Sequence, residues 1–130
     1  MFSRRQINHG LVTGTLAAGL PTQTLATGHL DKRHTFVLVH GAWHGGWCWR
    51  DTRNHLQDLG HRVFTPTLTG HGERVHLRHA DVNLDTHVKD IINVIEWEEL
   101  NNIILVGHSY GGMIITGVCD AIKHRVAHAV

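Results

Sequence analysis

A serine with a glycine two positions before it and another two positions after it constrains the fold of this chain more than any other feature. Gly107 and Gly111 stand on either side of Ser109 in the sequence GHSYG. An apolar run at 103–106 precedes the motif, and an apolar segment follows from Tyr110. Between a strand and a helix, G-x-S-x-G requires the chain to reverse within a few residues, and glycines remove the Cβ atoms that would collide there. We therefore predict that Ser109 occupies a strained turn that lifts its hydroxyl above the end of a sheet.

The predicted turn also gives Ser109 the surroundings of a nucleophile. At the N-terminus of a helix, backbone N–H groups without partners and the positive end of the helix dipole favour a developing negative charge. Ser109 is therefore the candidate catalytic residue, and Gly107 and Gly111 are the glycines that its turn requires. The alternative is a glycine-rich strand-to-helix turn without chemistry.

A second glycine-rich segment, HGAWHGGW at 40–47, follows an apolar run at 36–40 that predicts a buried strand. Such a loop can aim a backbone N–H at the serine, so that the N–H groups of Ala42 and Tyr110 form a two-donor oxyanion hole. The alternative is a structural turn at the end of a strand. Candidate residues for a substrate pocket surround both segments: His40, Gly41, Trp43, His44 and His108.

Strands and helices alternate along the rest of the chain. Short apolar runs predict strands, and apolar residues recurring every three or four positions predict helices. In chain order these are a strand at 36–40, a helix at 47–59, a strand at 62–65, a helix capped by Asp85 or Thr86, a strand at 103–106 and a helix from Tyr110. The alternation predicts one domain with a parallel sheet layered between helices.

Two connecting features complete this prediction. The helix at 47–59 is expected to stop at Gly60, which suits the position after a helix C-terminus. Its apolar face is predicted to consist of Trp49, Thr52, Leu56 and Leu59. The polar segment at 67–85 is long for a connecting loop, and loops of that length are often functional.

Composition and charge exclude several classes of partner. The formal charge is +1 and no run of lysine or arginine occurs, which argues against a nucleic-acid partner. No segment approaches the roughly 18 consecutive apolar residues of a transmembrane helix, so no membrane span is predicted. The 2 cysteines and 14 histidines lack the spacing of a zinc site, and we predict neither a metal nor a cofactor.

Residues 1–30 differ in composition from the rest of the chain. Arg4 and Arg5 precede the weakly apolar stretch LVTGTLAAGL, and no acidic residue occurs before Asp31. This pattern predicts a twin-arginine-type signal peptide and linker over 1–30, with cleavage after Ala26. Export to the periplasm or the medium is therefore expected. A cytoplasmic location follows if the segment is only an N-terminal extension.

Three motifs in order, HGAWHGGWCW, TLTGHGE and VGHSYGG, closely resemble those of α/β-hydrolases. The similarity runs from about Thr35 to Val130, and it points to the branch that contains plant methyl esterases, hydroxynitrile lyases and many bacterial esterases. The resemblance implies a three-layer α/β-hydrolase-type parallel sheet with the strands ordered second, first, third. It also implies that Ser109 is the nucleophile and that Ala42 and Tyr110 supply the oxyanion N–H groups.

The resemblance further implies hydrolysis of a small-molecule carboxylic ester. Lyase members of this branch usually have threonine where this chain has Gly41, and glutamate where it has His108, so both positions favour hydrolysis. Two alternatives stay open: a hydroxynitrile lyase-like enzyme that releases cyanide from a cyanohydrin, and an inactive truncated hydrolase fragment.

The family takes its catalytic acid and histidine from loops after later strands, and this sequence ends at Val130 before either. Residues 31–130 are therefore expected to be the N-terminal half of a hydrolase domain, truncated after the helix that follows Ser109, with the triad Asp and His missing. Three histidines on the same sheet edge are stand-ins that we do not favour: His40, His44 and His71. The third strand is expected to have an unpaired edge, which would make the chain poorly soluble.

Overall fold

A computed structural model describes residues 18–19 and 32–130 of the chain, and every structural statement below concerns those residues. Apart from 18–19, the signal peptide and linker predicted over 1–30 lie outside the described residues, so they stay a prediction. No helix in the described part of the chain is long and apolar enough to cross a membrane.

The strands form a four-stranded sheet in the order β2-β1-β3-β4 with every neighbouring pair parallel. The strands are β1 (Thr35–Val39), β2 (Arg62–Phe64), β3 (Ile103–Gly107) and β4 (Val126–Ala129). The three strands predicted from the apolar runs are confirmed, and so is their order of second, first, third. Val37 marks the centre of the sheet, because it pairs with Phe64 on one side and with Leu105 on the other.

The fourth strand is not predicted by the sequence pattern. The segment VAHA has one β-branched residue and no continuous apolar run, so it carries little strand signal. In the structure Val126 pairs with Ile103, and Ala129 pairs with Leu105. The expectation of an unpaired edge on β3 is therefore wrong.

Three α-helices connect the strands: α1 (Arg50–Asp58), α2 (Leu84–Trp97) and α3 (Tyr110–Ile122). A short 3-10 turn, Gly46–Trp49, leads into α1. From β1 the chain moves to β2 at one edge of the sheet, and from β2 it moves back past β1 to β3. Because both connections are right-handed and run in opposite directions across the sheet, α1 and α2 cover opposite faces. The connection from β3 to β4 runs in the same direction as that from β2 to β3, so α3 lies beside α2.

The core lies between the sheet and the pair α2 and α3. It is a single cluster of buried side chains that includes Val37 and Val39 of β1, Leu105 of β3, Ile91 and Ile95 of α2, and Ile114 and Val118 of α3. Burial of each such side chain is worth about 1.5–3 kcal/mol. Leu38 is also buried but lies outside this cluster, because successive side chains of a strand point to opposite faces.

The first helix differs from its predicted packing. No residue of α1 is buried, and Leu59, expected on its apolar face, is 55% exposed. Thr52 is exposed as well, so the predicted apolar face at these two positions is wrong. The predicted end of the helix is confirmed, because Gly60 follows it with φ +87°.

The N-cap of the second helix lies two positions before Asp85 and three before Thr86, the two predicted caps. Asn83 is the N-cap: its Oδ1 accepts the Thr86 N–H at 3.1 Å, while the Thr86 hydroxyl accepts the Asn83 N–H at 3.3 Å. This reciprocal pair is a capping box, in which a side chain at the third helical position replaces the usual glutamate. Asp85 and Thr86 lie inside the helix, so the prediction that one of them caps it is wrong.

Candidate active site

The loops after β1 and β3 lie side by side at the carboxyl edge of the sheet. β1 and β3 are neighbours, and the chain leaves β1 toward α1 on one face and leaves β3 toward α3 on the other. A crevice opens at such a point in a parallel sheet, and ligands of α/β proteins bind there. The fold therefore brings together the two glycine-rich segments that the sequence singles out.

Ser109 forms the turn between β3 and α3. Its backbone has φ 55° and ψ −120°, a conformation that a residue with a side chain adopts only under strain, and its side chain is exposed. A Cβ on Gly107 would lie 2.6 Å from the Gly111 oxygen, so the chain crosses closely over itself. A Cβ on Gly111 would lie 2.6 Å from the Val39 oxygen, so α3 begins against the end of β1.

The loop after β1 packs directly against this turn. Gly41 is buried, and a Cβ added to it would lie 3.1 Å from the His108 oxygen and 3.2 Å from the Ser109 Cβ. The His108 N–H also donates to the Val39 oxygen at 3.1 Å. Gly41 therefore forms the contact between the loop and the turn, and its place in a substrate pocket stays a prediction. Ala42, the next residue, is half-buried beside the turn.

His40 holds the loop from within the protein. Its side chain is fully buried; Nδ1–H donates to the Gly41 oxygen at 2.7 Å, and Nε2 accepts the Leu68 N–H at 3.0 Å. Desolvation by burial lowers the pKa of His40, although its backbone hydrogen bond acts in the opposite direction. In the described part of the chain both ring nitrogens are engaged and the ring does not reach solvent, so His40 holds the loop in place; its place in a substrate pocket stays a prediction.

The loop after β2, which carries the TLTGHGE motif, is fixed by a hydrogen-bond network. The Thr67 hydroxyl accepts the Gly46 N–H at 2.8 Å and donates to a Glu73 carboxylate oxygen at 2.6 Å. This side-chain hydrogen bond is the main reason why the pKa of Glu73 is lowered. The motif thus ties the glycine-rich loop after β1 to the loop after β2.

The same loop is bound to α2 through Thr69. The Thr69 N–H and hydroxyl each donate to a different oxygen of the Asp90 carboxylate, both at 2.7 Å. Hydrogen bonds to an ionised acceptor are roughly twice as strong as neutral ones. Arg74 adds a donor to the Thr67 oxygen at 2.7 Å and lies 3.9 Å from Asp90.

His87 and Tyr110 form a further contact beside the turn that the sequence pattern does not predict. Nδ1 of His87 lies 2.8 Å from the Tyr110 hydroxyl, and Nε2 lies 2.9 Å from the Thr69 oxygen. His87 is only 5% exposed. A signal for it exists in the sequence, because His87 stands four positions before Ile91 and eight before Ile95 on the buried stripe of α2.

Two of the cavities beside the loop after β1 are lined by residues that the sequence predicts for a pocket. One of about 230 Å³ is lined by His44, Cys48, Trp49 and His108, so it adjoins the residue that precedes Ser109. The indole Nε1 of Trp49 is buried without a hydrogen-bond partner among the described residues. The second cavity, of about 300 Å³, is lined by Trp43, Thr69, Gly70, His71, Arg78, His79, Val82 and His87. The structure therefore separates the predicted pocket residues: His44 and His108 share the first cavity, and Trp43 borders the second.

The histidines considered as stand-ins for a catalytic base have other partners. His44 donates through Nδ1 to the Ala42 oxygen at 2.8 Å. The ring of His71 lies between two others, with its centre 5.6 Å from His40 and 5.0 Å from His87. Within residues 32–130 no side chain forms a hydrogen bond with Ser109. That part of the chain also has no group of three or more His, Cys, Asp or Glu side chains that could hold one metal ion.

Comparison with known proteins gives consistent matches to one family. A sequence model described as "Alpha/beta hydrolase family" matches residues 36–130. A carbendazim hydrolyzing esterase of Nocardioides sp. (strain SG-4G) is 60% identical over 95 residues, which cover 73% of this chain and 39% of that protein. An alpha-hydroxynitrile lyase of Arabidopsis thaliana is 33% identical over 98 residues, covering 75% of this chain and 38% of the lyase.

The solved structures give the same result. An extracellular alpha/beta-hydrolase from a Paenibacillus species superposes with a TM-score of 0.68 at 34% identity, covering 74% of this chain and 38% of the other. The chain spans about two fifths of the length of the curated relatives it matches.

Proposed function

Because this chain belongs to the alpha/beta hydrolase family, we propose that it is part of a serine hydrolase that cleaves a small-molecule carboxylic ester, with Ser109 as the nucleophile. One observation carries the proposal: Ser109 is held at φ 55° on an exposed turn, with the buried Gly41 packed against its Cβ. Strain of this kind persists only where the surrounding structure enforces it, and it is concentrated at functional sites.

In the proposed reaction the Ser109 oxygen attacks the carbonyl carbon of the ester while a base removes the hydroxyl proton. The carbonyl oxygen becomes an oxyanion, which accepts hydrogen bonds from the N–H groups of Ala42 and Tyr110. Collapse of this intermediate breaks the bond to the alcohol, which leaves with the proton from the base. Water then attacks the acyl-serine by the same steps in reverse, releasing the acid and restoring the serine.

The environment of His40 supports the role of Ala42. The C=O and the N–H of a trans peptide point in opposite directions, so a hydrogen bond that holds the Gly41 oxygen also fixes the direction of the Ala42 N–H. His40 makes that bond at 2.7 Å from a fully buried ring. An oxyanion donor that is oriented before the substrate binds needs no reorganisation during the reaction.

The contact at Gly41 supports hydrolysis over cyanohydrin cleavage. Relatives include both an esterase and a hydroxynitrile lyase. A Cβ at position 41 would already lie 3.1 Å from the His108 oxygen and 3.2 Å from the His108 Nδ1. A threonine there, which the resemblance associates with lyases, would require the turn to shift by a few tenths of an ångström.

The base and its orienting acid are proposed to come from outside residues 32–130. His40, His44 and His71 each have another hydrogen-bond partner, and the relatives are more than twice as long as the matched segment. A histidine with a carboxylate partner, as the family resemblance implies, would complete the triad.

A fluorophosphonate probe tests this function on the protein carried through its natural coding sequence beyond Val130. We expect one equivalent of covalent label on Ser109, located by peptide mass spectrometry, and no label in the Ser109→Ala variant. Turnover of p-nitrophenyl acetate, of carbendazim and of mandelonitrile then separates the candidate activities. A folded protein that takes no label would contradict the proposal and favour an inactive fragment.

We also propose that the protein is exported through the segment at 1–30. The support is the pair Arg4 and Arg5 ahead of an apolar stretch, together with the extracellular nature of the Paenibacillus relative. Expression in a bacterial host with fractionation of cells tests this proposal. The exported fraction should disappear when both arginines are replaced by lysine, and an equal distribution for the two versions would contradict it.

A further inference from the structure

The side chain of Tyr110 is anchored although only its backbone N–H enters the proposed chemistry. Tyr110 is the first residue of α3 and follows Ser109 directly. Its hydroxyl reaches back to Nδ1 of His87 on α2 at 2.8 Å, and the two rings meet edge to face with their centres 5.7 Å apart. The contact therefore joins the start of α3 to the first turn of α2.

The direction of the hydrogen bonds follows from the partners. Nε2 of His87 lies 2.9 Å from the Thr69 oxygen, and a carbonyl oxygen can only accept, so Nε2 carries a proton. Nδ1 is the ring nitrogen left to accept, so the Tyr110 hydroxyl is assigned as the donor to Nδ1. Desolvation by burial raises the pKa of Tyr110, which keeps the phenol protonated and able to donate.

Thr69, the other hydrogen-bond partner of His87, is itself held in place. Thr69 accepts from His87 through its oxygen, and it donates to Asp90 through both its N–H and its hydroxyl. Asp90 lies three positions after His87 on the same face of α2, so both side chains form hydrogen bonds with Thr69. Chains of hydrogen bonds of this kind strengthen one another where water is excluded.

We propose that His87 is a positioning residue for the oxyanion hole, because it fixes Tyr110 through the hydrogen bond between Nδ1 and the phenol hydroxyl. The peptide N–H of Tyr110 belongs to the same residue as the anchored ring, so holding the ring limits the movement of that N–H relative to Ser109. This inference rests on the proposed function of Ser109. It adds a role for a histidine that forms no hydrogen bond with Ser109.

The rate of phosphonylation by the fluorophosphonate probe tests this role, because its phosphoryl oxygen would occupy the oxyanion hole. The protein used is the one carried through its coding sequence beyond Val130. The variants are Tyr110→Phe, which removes only the hydroxyl, His87→Leu, which removes both ring contacts, and His87→Gln, which retains a donor and an acceptor. The matched control is His55→Leu, because His55 is an exposed histidine on α1.

We expect Tyr110→Phe and His87→Leu each to lower the maximal labelling rate about tenfold, the scale of one lost hydrogen bond, while half-saturation stays within about twofold. The double variant should be no slower than His87→Leu, since both changes break the same link. His87→Gln should recover most of the rate, and His55→Leu should match the wild type.

A role confined to folding predicts a different pattern, in which the urea midpoint falls but the folded variants label at the wild-type rate. That outcome, or an equal loss for His55→Leu, would overturn the inference while leaving Ser109 as the nucleophile. A wild-type protein without label would instead overturn the proposed function, and the inference with it. Nitrogen-15 spectra give a readout independent of activity: Nδ1 of His87 should shift downfield in Tyr110→Phe, and an unchanged shift would contradict the hydrogen bond.

Discussion

Replacing Gly111 with alanine tests the packing that shapes the turn at Ser109. The added Cβ would lie 2.6 Å from the Val39 oxygen, 3.0 Å from the His40 oxygen and 3.2 Å from the Val39 carbonyl carbon. Ordinary contact begins at 3.4 Å, so the closest pair falls short by 3.4 minus 2.6, or 0.8 Å. All three neighbours are backbone atoms at the end of a central strand, so no flexible side chain can move aside.

The neighbouring glycine is a matched control. A Cβ on Gly112 would meet nothing within 4 Å, and Gly112 lies in the same helix one position later. Both substitutions gain helix propensity of up to about 1 kcal/mol, so this gain cancels when the two variants are compared. The remaining difference is the cost of overpacking, which is typically about 1–3 kcal/mol, and the rigid neighbours place it near the upper end.

Urea unfolding followed by far-ultraviolet circular dichroism measures this difference directly. We expect Gly111→Ala to be less stable than Gly112→Ala by about 3 kcal/mol, and Gly112→Ala to equal or exceed the wild type. Two variants with stabilities within about 0.5 kcal/mol of each other would refute the packing argument, since surface changes alone stay in that range.

Three further predictions concern strain, capping and pH. Ser109→Gly should relieve the strain of φ 55° and raise the free energy of unfolding by about 1 kcal/mol in urea titrations, while covalent labelling is lost. A stability equal to or lower than that of the wild type would contradict the strain. Asn83→Ala should cost about 1 kcal/mol and Asn83→Ser much less, measured in the same way, and equal losses would contradict the capping box. Burial lowers the pKa of His40 below the usual 6.5, so the stability that it contributes is present above 6.5 and is lost as pH falls toward the folded-state pKa. The decrease in urea midpoint from about pH 7.5 to about pH 5.5 should therefore be smaller in His40→Asn than in the wild type, and equal decreases would contradict this assignment.

The elements that the sequence predicts correctly are those with a strong local pattern. β1 and β3 are short runs rich in β-branched and apolar residues, and α2 repeats isoleucine at helical spacing, so the local sequence pattern identifies them. The three motifs identify the family, which is confirmed by the match over 36–130. Gly60 ends α1 as predicted, because a positive φ after a helix C-terminus favours glycine.

The features that the sequence does not predict depend on contacts between distant segments. β4 has a weak strand pattern and exists because it pairs with β3. His40 follows an apolar strand and resembles a pocket residue, but its two hydrogen bonds to the loops after β1 and β2 explain its complete burial. His87 is polar within an apolar stripe, and its role becomes visible only when Thr69 and Tyr110 lie on either side of it.

The most direct test of the central claim is a crystal structure of the fluorophosphonate adduct. The account predicts phosphorus bonded to the Ser109 Oγ, with the phosphoryl oxygen about 2.7–3.1 Å from the backbone nitrogens of both Ala42 and Tyr110. An adduct on another residue, or a phosphoryl oxygen turned toward solvent and away from those two nitrogens, would contradict it.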